Sequence, residues 1–358
     1  MNDKEFVLIQ KKIAETVKGS VQNPQAAISK LVEIKKDVAR SFGDQSLSFY
    51  NVAAMVHEAA GDVWMQVKKV GEAEKEYVEM MKWSVKLYEM DKEKYDYRLA
   101  FSYFKRAYFY RVVALQCTNL NPTPAELTQQ QKKIYEVTEG LYKSAIACTL
   151  KPEKKMSLNY AELHANVMND LVFLYTFTGD YEKAISCGKD CIKLEKVIYE
   201  KMDDAKHAFH LANRMNMLAT VYTFTKNVQS VMEMLEDSIF VLEEHEQEDP
   251  ITFGVMAARN YMTLAGCYSA IKEEAEKAEE AYQQGLKRMI EVNKNTENRL
   301  VSDVIASYML VGDYYRRMQK ADTAKVYYQI AMKLALECYS QTKDQKYENI
   351  INRLQPLV

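Results

Sequence analysis

The chain should fold as an all-α solenoid built from antiparallel helix pairs. Three observations point there. Its 358 residues include only eleven Gly and six Pro, too few turn-formers for a sheet-rich fold, whose hairpins and connections consume them. A pattern recurs at a nearly constant step: Leu171-x3-Tyr175, Leu218-x3-Tyr222, Leu264-x3-Tyr268 and Leu310-x3-Tyr314 lie 47, 46 and 46 residues apart. Each copy also continues into a second amphipathic run, as in Ala278-x3-Tyr282-x2-Gly285 and Ala324-x3-Tyr328-x2-Ala331. Spacings of three and four put these residues on one helix face, where small side chains let a partner helix approach and the tyrosine fills the gap beside it. Such a unit is a helical hairpin that stacks on its neighbours and does not fold alone.

In chain order, residues 3–18 and 24–41 form a leading helix pair, with Asn23-Pro24 opening the second helix. Segment 47–90 is a further pair, with a break expected at Gly71-Glu72 and a second helix carrying Tyr77, Met81 and Val85. Segment 95–149 is helical on both sides of Asn119-Leu-Asn-Pro122-Thr-Pro124, with Thr123 as the expected cap of the next helix. Seven rings between Tyr97 and Tyr110 cannot share one face, so that helix is buried on two sides. The clear repeats run from about 160 to 340. Residues 344–354 make a closing helix, with Pro356 beyond it.

Composition narrows the function. An apolar fraction of 48% and a charged fraction of 27% exclude disorder as the main state, and no run of 18 apolar residues spans a membrane. Forty-eight basic and fifty acidic side chains leave a net charge of −2, with no general attraction for nucleic acid. Residues 1–43 carry eight basic and five acidic groups on long amphipathic helices, a solvated surface and not a helix-turn-helix. Six cysteines without a CxxC pair, and an N-terminal apolar run of only Phe6 to Ile9, predict a cytoplasmic protein with reduced thiols. Cys187 and Cys191 share a helix face and read as small core residues. His207 and His210 read as a surface or groove-edge pair, since no third ligand stands at helical spacing. No phosphate loop, nucleophile elbow or metalloprotease motif is present. The expectation is therefore no enzymatic activity, no cofactor and no metal.

The string Leu171-x3-Tyr175-x3-Gly179-Asp180-Tyr181-x2-Ala184 resembles the tetratricopeptide repeat, and 310–331 matches it with one extra residue at the turn. The resemblance implies a right-handed superhelix whose first helices line a concave groove. At 46–47 residues these repeats exceed the usual length of about 34. Long-armed repeats of this kind resemble those of the peptide-responsive regulators of Gram-positive bacteria. The domain organisation that follows is an N-terminal helix pair (1–45), degenerate tetratricopeptide-like pairs (46–155), tetratricopeptide-like repeats (156–341) and a capping helix (342–358).

The first helices also repeat a polar signal. Asn166, Asn213 and Asn260 are 47 residues apart, and Asn169 and Asn216 keep the same step. A side-chain amide both donates and accepts, so a ladder of them can hydrogen-bond the backbone of an extended peptide, as the resemblance implies. The same amides can instead bridge neighbouring repeats. Flanking candidates are Asp170, Thr220, Thr223, Arg259, Thr263 and Tyr308, with Arg259 suited to a carboxylate. The expected partner is a protein or short peptide bound without catalysis, with no nucleic acid and no membrane. A peptide-controlled regulator of a signalling partner, acting through the N-terminal helices, and a dimeric scaffold remain alternatives; a catalytic version of the regulator needs a polar residue such as Gln10 or Gln45 presented to a phosphorylated partner, and no motif supports it.

Overall fold

The computed structural model describes residues 1–150 and 157–358, and the expected domain boundary between residues 155 and 156 lies outside them. The described residues are almost entirely helical: α1 Asp3–Lys18, α2 Pro24–Phe42, α3 Leu47–Gln66, α4 Val70–Met90, α5 Lys92–Phe109, α6 Gln129–Thr149, α7 Leu158–Thr178, α8 Tyr181–Met202, α9 Ala205–Phe224, α10 Val228–Glu244, α11 Pro250–Tyr268, α12 Ala275–Asn295, α13 Val301–Arg317, α14 Ala321–Thr342 and α15 Gln345–Leu354. The chain divides into two compact units, Met1–Cys191 and Ile192–Val358, and the division falls within α8.

Several of these helices start on a side-chain cap. Asn2 and Glu5 form a capping box on α1, and Thr128 and Gln131 form another on α6. Asn23 and Asp249 each accept from a first-turn amide, with Pro24 and Pro250 next in the chain. The Thr128 box corrects the expectation that Thr123 caps α6. The helix starts later than expected because residues 122–125 do other work. Ala125 N–H donates to Phe177 O (2.8 Å) and the Tyr181 hydroxyl donates to Pro122 O (2.9 Å), so the segment is held against the α7–α8 turn.

That turn recurs. At the ends of α3, α7, α9 and α13 the chain makes the same closing bond: Lys69 N–H to Trp64 O, Asp180 N–H to Tyr175 O, Asn227 N–H to Tyr222 O and Lys320 N–H to Tyr315 O, each between 2.9 and 3.0 Å. The preceding residue is left-handed each time, at Lys68 (φ 59°), Gly179 (79°), Lys226 (56°) and Gln319 (60°). This is a Schellman closure, for which glycine is the usual choice. Only one of the four uses it. The α3–α4 break therefore lies at Lys68, and Gly71 sits inside the first turn of α4, which corrects the expectation drawn from Gly71-Glu72.

The packing repeats as well. A Cβ at Gly61 would meet the Tyr77 ring at 2.6 Å, and one at Gly312 would meet the Tyr328 ring at 2.6 Å. In both hairpins the ring lies on the glycine and the hydroxyl donates to the next residue, Tyr77 to Asp62 and Tyr328 to Asp313, at 2.6 Å. In the first unit a core of Ile13, Leu31, Val38, Phe49, Val52 and Val56 joins α1, α2 and α3. In the second, Tyr282, Leu286, Ile305, Tyr314, Tyr328 and Tyr347 continue the core from α12 through α13 and α14 to α15, with Tyr282 and Tyr314 ring centroids 4.9 Å apart.

Candidate functional site

The candidate binding residues sort by depth. In the second unit, Asn213 is exposed on α9, and Asn216 and Thr220 are partly covered on the same face. Thr223 extends that face, exposed, at the end of the stripe. The order i, i+3, i+7 and i+10 keeps all four in one line along the helix. Thr220 Oγ1 donates to Asn216 O (2.9 Å) and Thr223 Oγ1 to Ala219 O (3.0 Å), so each hydroxyl retains acceptor capacity. On α11, Arg259 and Thr263 are exposed one turn apart. Arg259 Nη2 donates to Asp303 Oδ1 of α13 at 2.8 Å, an ion pair that links α11 to α13.

Other candidates turn inward. Asn260 is buried, its Nδ2 donating to Ser238 Oγ (3.0 Å), which donates in turn to Ala212 O (3.2 Å). This amide bridges α9, α10 and α11. Tyr308 is half-buried with its ring 6.2 Å from that of Tyr327, and burial pushes its hydroxyl pKa upward. His207 is buried with Nδ1 2.7 Å from Asp204 Oδ1, which corrects the surface reading for His207, while His210 is partly covered. The N-cap Asp204 draws the His207 ring back onto the helix start.

In the first unit, Asn166 is partly covered and Asn169 buried on α7, and Asn169 Oδ1 finds no hydrogen-bond partner among the described residues. Asp170 is buried and accepts from Arg111 Nη2 (3.2 Å) and from the Tyr142 hydroxyl (2.8 Å). The Arg111 guanidinium stacks 4.8 Å from the Phe173 ring centre. Burial opposes the Arg111 charge, but Asp170 and Tyr142 more than offset it and raise the pKa. Asp170 thus holds α7 to α6 and to the π-helical turn Tyr110–Ala114 that ends α5.

Sequence reasoning missed a second polar surface in this unit. Asn51, Met55, Glu58 and Asp62 form a stripe on α3, and Lys94, Arg98 and Lys105 form one on α5. The two interlock, Arg98 with Glu58 at 2.7 Å and Lys105 with Asp62 at 2.6 Å. Above them Phe6, Gln10, Ile13 and Val17 of α1 wall a cleft of 650 Å³. The signal was available as i, i+4, i+7 and i+11 spacing, but charges at that spacing also mark any solvated face. Among the described residues no group of three His, Cys, Asp or Glu is placed to hold a metal ion. No helix among them is long and apolar enough to cross a membrane.

No protein-family model matches the sequence, and no curated protein sequence matches it. Solved structures do. A signal-transduction ATPase with a tetratricopeptide repeat sensor from Pyrococcus horikoshii aligns with 100% of this chain and 50% of its own, at a TM-score of 0.53 and 12% identity. The fold is of the tetratricopeptide type. The nuclear import adaptor Nro1 of S. pombe aligns over 83% of this chain and 99% of its own (TM-score 0.53, 11% identity). The apo form of RapI aligns over 94% and 99% (TM-score 0.50, 13% identity). At such identities the likeness is one of fold. It agrees with the recurrent Schellman corners and Gly–Tyr contacts, which are properties of packing.

Proposed function

We propose that the protein binds an extended protein segment or short peptide, without catalysis, on the first-helix surface of the second unit. Asn213 and Asn216 serve the guest's backbone, Thr220 and Thr223 extend the polar line, and Arg259 takes a carboxylate of the guest. The observation that carries this reading is the alignment of four polar residues on α9, with an exposed guanidinium on α11 whose side chain is 62% accessible. Arg259 gives one N–H to Asp303 and has further donors in a planar fork. Asn260 belongs to the framework beneath. A net charge of −2 argues for a protein guest over nucleic acid, and six cysteines without a CxxC pair fit a reducing cytoplasm.

Titration calorimetry against a peptide library tests it with exposed residues only, so that folding is untouched. Asn213→Ala with Arg259→Ala should weaken a bound peptide by about tenfold or more, which is about 1.4 kcal/mol. Equal affinity in wild type and double variant would overturn the assignment. A second reading, control of a signalling partner, is favoured by the shared core of α1, α2 and α3 and by the cleft that α1 walls.

A further inference from the structure

Three consecutive helices of the first unit bring a lysine, a histidine and a glutamate into line. Lys35 of α2 lies with Nζ 3.0 Å from His57 Nε2 of α3, and His57 Nδ1 lies 2.6 Å from Glu76 Oε2 of α4. An ammonium can only donate, so Nε2 is the acceptor. The ring proton is then on Nδ1, donated to the Glu76 carboxylate. The histidine and glutamate side chains are 14% and 24% accessible, and Lys35 is only partly covered. Nucleophile, base and orienting carboxylate within hydrogen-bond reach is the arrangement that activates a side chain.

We propose that Lys35 is an activated amine, a site of covalent acylation by small acyl phosphates, with His57 as its base and Glu76 as a positioning residue. His57 Nε2 accepts a proton from the Lys35 ammonium. The free amine attacks the acyl carbon, forming the N–C bond, and the C–O bond to phosphate breaks. The second amine proton leaves with the phosphate, and His57 returns the first to solvent. One ammonium and one acyl phosphate dianion give one amide, one hydrogen phosphate dianion and one proton. Burial lowers the Lys35 pKa below the usual lysine value, although Glu76 and Glu79 oppose it, so the neutral amine is easier to reach here than on an open helix. Lys30 and Lys36 sit exposed on the same helix and provide internal standards.

The test treats the full-length protein with limiting acetyl phosphate at neutral pH and follows each lysine by peptide mass spectrometry. Lys35 should acylate at least about tenfold faster than Lys36, the lower side of what a positioned base supplies. His57→Gln keeps an acceptor for the lysine but no base, and should bring Lys35 to the rate of Lys36 while circular dichroism stays unchanged. Glu76→Gln should give an intermediate rate. If Lys35 in the wild type reacts no faster than Lys36 and Lys30, the proposal is overturned, whatever the variants do. A wild-type preference that survives His57→Gln in folded protein overturns the role of His57 as base.

Discussion

At the scale of single residues, the polar groups divide into those that hold the fold and those left to bind. Asp170 is of the first kind, because Tyr142 reaches it from α6 and Arg111 from the end of α5. Removing one member of a buried ion pair leaves the other uncompensated. Asp170→Ala should therefore cost about 3–5 kcal/mol in urea-induced unfolding, whereas Asn213→Ala should cost under about 0.5 kcal/mol, as exposed substitutions do. Both stood in the same sequence-derived list, and only burial separates them. Asn260 makes the same point: its hydroxyl partner Ser238 lies on another helix, 22 residues away, so no spacing within α11 announces it. With Tyr328 lying on it, Gly312→Ala overpacks the hairpin and should destabilise by about 1–3 kcal/mol.

At the scale of elements, the corners after α3, α9 and α13 are strained in a way that can be relieved. Lys68, Lys226 and Gln319 hold left-handed backbone, which costs a side chain roughly 1–2 kcal/mol. Gln319→Gly should raise thermal stability, by about 1 kcal/mol after the larger chain entropy of glycine is allowed for. Gly179→Ala should do the opposite, since its φ is 79° and a Cβ would meet Pro124 Cγ at 2.6 Å. The same corners explain where sequence reading faltered. The Gly179 break was visible because glycine occupies the left-handed position, while the Lys68 break was hidden by a lysine. The next glycine, Gly71, drew the boundary three residues late. The α6 start was misplaced for a related reason: Pro122 and Pro124 looked like helix punctuation, yet they brace the turn between α7 and α8.

Across the whole chain, the all-helical class and the 46–47-residue period were readable because small and aromatic residues recur at the packing positions of several hairpins. Twenty-five tyrosines also give the molecule a common sensitivity to base. Burial, and then hydrogen bonds to Glu243 and Asp313, push the Tyr261 and Tyr328 hydroxyls up to about 12, above the value near 10 of an unfolded tyrosine. Raised folded values mean that the native state holds these protons longer. The stability they contribute is complete below about pH 10 and is lost as pH rises toward 12. Unfolding followed by circular dichroism should show that loss across this window, and Tyr261→Phe with Tyr328→Phe should lessen it.

The binding surface is tested most directly by photo-crosslinking. A peptide recovered from the calorimetric screen, carrying a photoreactive side chain at successive positions, is irradiated in complex with the full chain and the adducts are mapped by mass spectrometry. Adducts should fall on the α9 face from Asn213 to Thr223 and around Arg259 of α11. Adducts confined to the outer faces of α10, α12 or α14 would contradict a first-helix binding surface.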